Sequence, residues 1–157
     1  ASDGTAKADS TYTLPAIETP SAHLLPATLI EVQAPPEDVE RVMAAVTAID
    51  PLAMSPRYDR NAWQSAPGVE RYRPRAGAVA GTEEEMRLRP GVVRLIFETT
   101  ADVPVLSAIV EAVFQVHSYQ EPVIRLSPCL TCRSKGLDDS ANPHRWWNTT
   151  GDWKTNV

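Results

Sequence analysis

Segments with helical periodicity alternate with segments of strand periodicity between residues 27 and 128, and this alternation limits the possible folds more than any other feature. The first strand is predicted in "ATLIEVQA", where Ile30, Val32 and Ala34 alternate with a glutamate and a glutamine. Successive side chains of a strand point to opposite faces of the sheet, so this alternation is typical of a half-buried strand.

The next segment, "PPEDVERVMAAVTAID", predicts the first helix. Prolines and acidic residues stand where the helix begins, and Asp50-Pro51 ends it. Apolar residues recur at helical spacing, namely Val39, Val42, Met43 and Val46. This stripe indicates a helix that packs with one side against a sheet.

A strand, a helix and a strand are predicted again after residue 90. "GVVRLIFETT" predicts a strand, "ADVPVLSAIVEAVFQVH" a helix capped by Asp102 or Thr100, and "EPVIRLSP" a last strand. Residues 51–90 predict two short strands around a Pro-Gly turn, followed by a loop. The order β-α-β(β)-β-α-β predicts an α+β fold, the ferredoxin-like split βαβ sandwich, with an antiparallel sheet and two helices on one face.

Length and charge limit the domain count and the partners. The chain has 157 residues, which suits one domain at residues 27–128 between an extended arm at residues 1–26 and a tail at residues 129–157. A formal net charge of −5 argues against a general nucleic-acid binder, which needs a basic face. No apolar run suits a transmembrane segment, and the arm lacks the apolar run of a secretory signal peptide. A bacterial cytoplasmic protein is therefore the default expectation, and the periplasm stays open.

Both terminal segments contain large apolar residues that a solvated tail seldom keeps. Residues 1–26 are either a dispensable terminus or an arm that docks on a partner subunit and buries Tyr12. Three of the four tryptophans lie in the tail, at Trp146, Trp147 and Trp153. Because tryptophan is enriched at binding hot spots, all three are candidate interface residues. Packing against the open sheet face of the same domain explains them equally well.

The stretch "VHSYQEP" predicts a joint between the second helix and the last strand. His117 is a candidate metal ligand or general base, with Glu121 as its orienting carboxylate, because imidazole titrates near neutrality. Alternatively, His117 ends the helix, where the dipole favours positive charge, while Tyr119 holds the turn by its ring and Pro122 stops the helix. We favour the structural interpretation and assign no catalytic residue, since no activated serine or cysteine lies in a motif.

A C-x-x-C pair follows the joint. Cys129 and Cys132 have the spacing of a metal knuckle, and His144 would be a third ligand of zinc or another transition metal. The fourth ligand would come from Asp138, Asp139, His117 or a partner. A disulfide or redox pair and two unlinked cysteines remain alternatives.

Arginines cluster around the two short central strands, at Arg57, Arg60, Arg71, Arg73 and Arg75. Arg71, Arg73 and Arg75 are candidate ligands for phosphate or carboxylate, since guanidinium forks match these anions. Charge that keeps an edge hairpin soluble is the favoured alternative. No glycine-rich phosphate loop supports nucleotide binding.

From Ala27 to Pro128 the sequence resembles the CutA/PII-like domain of YqfO-type (Nif-three-like) proteins. The resemblance is carried by "IEVQAPPEDVERVMAAV", by "VVRLIFET", by the central residues Trp63, Gly68, Tyr72 and Pro74, and by the joint residues His117, Tyr119, Glu121 and Pro122. The family joint usually reads His-Pro-Tyr-Glu-Glu, whereas this chain has Ser118 and Gln120 at two of these positions. The resemblance implies a ferredoxin-like fold and trimers formed through sheet edges. It implies no defined reaction, and nothing here matches the metal ligands of the hydrolase-like halves of full-length relatives.

These patterns support two main hypotheses for the function. The first is a non-catalytic binding or accessory subunit that docks on partner subunits through its terminal tails, in a homotrimer or a larger protein complex. The alternative is a metal- or small-anion-binding regulatory protein of the CutA/PII-like kind. An enzyme that uses His117 and Glu121 is a weaker third hypothesis, because it needs both side chains to meet at one substrate.

Overall fold

Five strands and two helices follow the predicted order within residues 17–148, the part of the chain that the computed structural model describes. The strands are β1 (Ala22–Ala34), β2 (Trp63–Gln64), β3 (Gly68–Tyr72), β4 (Arg87–Thr99) and β5 (Ile124–Ser134), and the helices are α1 (Val39–Thr47) and α2 (Val103–Val116). Short 3-10 turns cover Pro36–Asp38 and Trp146–Asn148. Residues 25–133 form one unit, and residues 17–24 and 134–148 belong to a second. No helix in this part of the chain is long and apolar enough to cross a membrane.

The sheet has the strand order β2-β4-β1-β5, and β3 also pairs with β4. β1 and β4 pair antiparallel, with Ile30 opposite Phe97 and Val32 opposite Leu95. β2 and β3 both run antiparallel to β4. Together with the two helices, this arrangement confirms the predicted α+β, ferredoxin-like fold.

One face of the sheet and both helices share a single apolar core. The core contains Ile30, Val32, Val93, Leu95 and Phe97 from the sheet, Val39, Val42, Val46, Ile109 and Val113 from the helices, and Leu52 from a loop. Because both helices pack with alternate residues of β1 and β4, they lie on the same face of the sheet. Burying each valine, leucine or isoleucine stabilises the fold by roughly 1.5–3 kcal/mol, so the apolar alternation that predicts the strands also identifies much of the core.

The sequence predicted that the short strands β2 and β3 lie around one turn as a hairpin. In the structure they do not pair with each other; each pairs with β4 instead. With 13 residues, β4 is long enough to hold both of them. Trp63 lies opposite Ile96, whereas Tyr72 lies opposite Arg87 at the start of β4. The partner of β3 is thus the strand that follows it across the loop at residues 73–86.

A bulge interrupts the ladder between β3 and β4. Gly68 pairs with Val92 and the next residue, Val69, pairs with Pro90, so Gly91 is an extra residue in β4. Its φ of 88° lies in the left-handed region that glycine adopts without strain. Because a bulge increases the local twist, it turns the end of this hairpin relative to the rest of the sheet.

The last strand was predicted to end at Pro128, but β5 continues to Ser134. Between Cys129 and Ser134 less exposed and more exposed side chains alternate, as in a regular strand. Proline is tolerated because β5 lies at the end of the strand order, where one side of the backbone needs no ladder partner. Cys129 and Cys132 therefore belong to the sheet rather than to an irregular tail.

The second unit brings the two ends of the described chain together. The Lys135 N–H donates to the carbonyl oxygen of Ser21 at 2.8 Å. The Lys135 ammonium donates to the carbonyl oxygen of Thr19 at 2.6 Å and forms an ion pair with Glu18. Residues near the N-terminus and residues after β5 are thus joined by hydrogen bonds within this unit.

Candidate functional site

The joint after α2 positions His117 as the residue that ends the helix. Its N–H donates to the carbonyl oxygen of Val113 at 2.9 Å, and its side chain is fully buried. The ring Nε2 lies 2.7 Å from the carbonyl oxygen of Gln33, and Nδ1 accepts a hydrogen bond from the N–H of Tyr119 at 3.0 Å. With Nδ1 as an acceptor, Nε2 is the nitrogen that donates to Gln33. Both nitrogens are therefore engaged by the backbone, which leaves no lone pair for a metal in this arrangement.

A buried carboxylate holds the residue that follows. Asp38 is 1% exposed, and its Oδ2 accepts hydrogen bonds from the N–H of Ser118 at 2.8 Å and from the Ser118 hydroxyl at 2.6 Å. Its Oδ1 forms an ion pair with Arg41, whose Nε donates to the carbonyl oxygen of Val116 at 2.6 Å. Burial alone would raise the pKa of Asp38, but the Ser118 hydrogen bonds and Arg41 outweigh burial and lower that pKa.

His117, Ser118 and Asp38 do not form a catalytic relay. The Ser118 hydroxyl donates to Asp38 and not to His117. The His117 Nδ1 lies 3.7 Å from the Asp38 Oδ2, beyond hydrogen-bond range, and it already accepts a hydrogen bond from the backbone. Glu121 is exposed and forms no hydrogen bond within residues 17–148. The hydrogen bonds of His117 and Ser118 therefore order the chain at the joint.

The joint also contacts the β3–β4 hairpin through an arginine between two tyrosine rings. The Arg89 guanidinium lies 4.4 Å from the Tyr119 ring centre and 5.2 Å from the Tyr72 ring centre. It donates to the Tyr72 hydroxyl at 3.0 Å, and the Tyr119 hydroxyl donates to Glu70 at 2.8 Å. Burial raises the pKa of Tyr119. The hydrogen bond and positive charge of Arg89 oppose this rise, and the hydrogen bond and negative charge of Glu70 add to it. Arg87 extends the cluster through an ion pair with Glu83.

Most of this cluster was not predicted from the sequence. The turn pattern predicted the position of Tyr119, but not its contacts with Glu70 and Arg89. Alternation in "VERY" and "RLR" places Glu70 and Tyr72 on one side of the hairpin together with Arg87 and Arg89. This alternation becomes informative only once β3 is known to pair with β4.

The three arginines predicted to bind an anion lie elsewhere on the hairpin and the loop after it. Arg71, Arg73 and Arg75 are all exposed. Within the described residues their side chains form no hydrogen bond or ion pair. The structure therefore separates the arginines that hold the hairpin from those that are free to bind a partner.

The two cysteines are free thiols on β5. They are three residues apart, and the alternating exposure along the strand places Cys129 and Cys132 on opposite faces of the sheet. Burial raises the pKa of the Cys129 thiol, and the negative charge of Glu98 adds to the rise, which opposes formation of a thiolate. His144 lies in the second unit and is exposed. Between residues 17 and 148, no three histidine, cysteine, aspartate or glutamate side chains group so as to hold a metal ion.

Two of the predicted interface residues are described by the structure. Trp146 is half-buried and Trp147 is 52% exposed, and their rings meet edge to face at 6.0 Å. Trp153 and Tyr12 lie outside the described residues.

The sheet face opposite the helices carries charged side chains. Glu31 forms ion pairs with Arg94 and Arg125, and Glu98 forms one with Arg133. These ion pairs lie on the face of the sheet that the helices leave uncovered.

Comparison with known proteins supports the fold. No model of a known protein family matches the chain, and no curated protein matches it in sequence. Among solved structures, a Bacillus cereus protein related to NIF3 is similar over 68% of this chain, with 16% sequence identity and a TM-score of 0.55. The match covers 26% of that protein, so this chain spans about a quarter of its length.

Two further solved structures share the arrangement more loosely. The divalent ion tolerance protein CutA1 from Ehrlichia chaffeensis matches 73% of this chain and 86% of its own, with 16% identity and a TM-score of 0.47. GlnK of B. subtilis matches 67% of this chain and 86% of its own, with 12% identity and a TM-score of 0.44. TM-scores below 0.5 carry no conclusion about this chain. The similarity to the NIF3-related protein therefore supports the predicted resemblance at the level of the fold.

Proposed function

We propose that the chain is a non-catalytic binding or accessory subunit that docks on partner subunits through its terminal segments, in a homotrimer or a larger complex. One observation carries this proposal: the unit formed by residues 17–24 and 134–148 exposes Ile17, Leu137 and Trp147 at 47%, 52% and 52%. Contact with a partner would remove these large apolar side chains from water.

The hydrogen bonds within this unit favour docking as a preformed element. Lys135 binds both Ser21 and Thr19, so the two terminal segments are already held together before a partner arrives. A surface that is ordered in advance loses less conformational entropy on binding. This arrangement supports docking by both segments together rather than by one loose arm.

The open edge of β5 supports assembly into a homotrimer, which the family resemblance implies. β5 ends the strand order, and within the described residues its outer edge pairs with no other strand. Leu126 and Leu130 are 43% and 41% exposed on it. A long edge with apolar side chains is suited to pairing with a strand of another chain. The finer assignment, a YqfO-type CutA/PII-like domain, is part of the same proposal.

Trp147→Ser is expected to weaken assembly of the full chain about 30-fold, because truncating a tryptophan hot spot costs about 2 kcal/mol or more. Light scattering coupled to size-exclusion chromatography over a concentration series measures the change. Trp63→Ser is the matched control, since Trp63 is 66% exposed but lies in the sheet unit. A compact monomer at every concentration, whose terminal segments are cleaved by protease without loss of stability, would contradict the proposal.

The second candidate is a metal- or small-anion-binding regulatory protein of the CutA/PII-like kind. The unpaired Arg71, Arg73 and Arg75 favour its anion version. The metal version fits less well, because a tetrahedral zinc cannot take both Cys129 and Cys132 while they lie on opposite faces of β5.

Protein purified without added metal is expected to contain far less than one zinc or copper ion per chain, because the two thiols do not converge. Elemental analysis measures the content, and Cys129→Ser is expected to leave it unchanged. One bound ion per chain that is lost in Cys129→Ser, and kept in a Ser127→Ala control, would instead establish the metal version.

A further inference from the structure

The β3–β4 hairpin has two faces with different surroundings. Strand pairing places Val69 opposite Pro90 and Arg71 opposite Leu88. Directly opposed residues point to the same side of a sheet, so these four form one face, here named the outer face. Val69 and Leu88 are 58% and 59% exposed, and Arg71 and Pro90 are also exposed.

The other face of the hairpin is fixed to the joint. Glu70 accepts the hydrogen bond of Tyr119, and Arg89 lies between the rings of Tyr72 and Tyr119. These contacts hold the hairpin to the joint through the face opposite the outer face, and the outer face stays exposed to solvent. The outer face is therefore held in one conformation, which lowers the entropy that a partner must overcome on binding.

Three arginines in and beside the outer face have no ion-pair partner within the described residues. Arg71 lies within it, and Arg73 and Arg75 follow directly in the chain, all without an ion pair among residues 17–148. Arg87 and Arg89, on the other face, both have hydrogen-bond partners. The glutamates of the loop at residues 73–86 form no ion pair with these three arginines, so their guanidinium groups are able to bind carboxylates of a partner.

We propose that the outer face binds an extended segment of a partner protein in which acidic residues alternate with apolar ones. Carboxylates of such a segment would pair with Arg71 and Arg73, and its apolar residues would cover Val69 and Leu88. The exposed apolar pair disfavours nucleic acid, whose binding depends mainly on phosphate contacts. This inference rests on the proposed function as a binding subunit, but it uses a different surface from the terminal unit.

The test titrates the full chain into a fluorescent peptide of alternating glutamate and valine, followed by fluorescence anisotropy. The wild type is expected to bind, and to bind more weakly as salt is added. The combined variant Arg71→Gln/Arg73→Gln is expected to bind about tenfold more weakly, since each exposed charge pair contributes up to about fivefold. Leu88→Ser is expected to weaken binding about threefold through lost apolar contact.

Three controls make the titration decisive. A glutamine-and-valine peptide of the same length should not bind, and Arg57→Gln, an exposed arginine outside the hairpin, should bind as the wild type does. Circular dichroism should show the same melting temperature for every variant. No binding of the glutamate peptide, equal binding by the arginine variant, or binding only to a DNA duplex or to phosphatidylserine vesicles would overturn the inference. A chain that assembles through Trp147 but ignores the peptide overturns this inference and leaves the proposed function intact.

Discussion

Asp38→Ala is expected to lower the free energy of unfolding by about 3 kcal/mol, because it removes an acceptor of several hydrogen bonds from a buried site. The substitution leaves the N–H of Ser118 without its partner and frees Arg41 from its ion pair. Urea denaturation followed by circular dichroism measures the change. Glu40→Ala is the matched control, since it removes an exposed carboxylate from the same part of the chain.

The same carboxylate is expected to make stability depend on pH in the acid range. The folded pKa of Asp38 lies below its ordinary value of 3.8, so its contribution is present above that value. It is lost as the pH falls through the lower, folded pKa, where the folded state finally takes up the proton. Asp38→Asn should remove this acid-dependent part of the unfolding free energy. Equal acid sensitivity in Asp38→Asn and wild type would contradict the assigned role of the carboxylate.

His117→Ala is expected to cost about 3 kcal/mol of stability, because it leaves a cavity and two backbone groups without partners. These groups are the carbonyl oxygen of Gln33 and the N–H of Tyr119. His117→Gln should cost less, because the glutamine amide nitrogen lies as many bonds from Cα as Nε2 does and is able to donate to Gln33. Thermal and urea denaturation measure both variants.

The comparison of these two variants separates a structural histidine from a ligand or a base. A structural role predicts that stability falls in the order wild type, His117→Gln, His117→Ala, with no change in metal content. If His117→Ala is as stable as the wild type but loses a bound metal, the structural assignment is wrong. His23→Ala, a change at a half-buried histidine outside the joint, shows the cost of losing any imidazole.

Periodicity was enough to predict the fold because the core is built from alternating strands and helical stripes. Ile30, Val32 and Leu95 lie on one face for the same reason that they alternate in the sequence. Periodicity did not show which strands pair, since β2 and β3 are both short and each finds its partner in β4. It also ended the last strand too early, because Pro128 is tolerated only at an edge, and the position of β5 in the sheet is a property of the whole fold.

For the candidate site, local patterns in the sequence were enough to predict which residues form the joint and that His117 would end α2, since helix ends depend on local chain signals. What those residues bind depends on contacts between elements that are far apart in the chain. Gln33, Asp38 and Glu70 are distant from the joint in sequence, and their hydrogen bonds exist only because β1, the start of α1 and β3 converge there. The same holds for the arginines. The sequence identified the cluster that contains Arg71 but did not single out Arg89. Strand pairing places Arg71 on the exposed face of the hairpin and Arg89 on the face that contacts the joint, because a side chain's face depends on the partner strand.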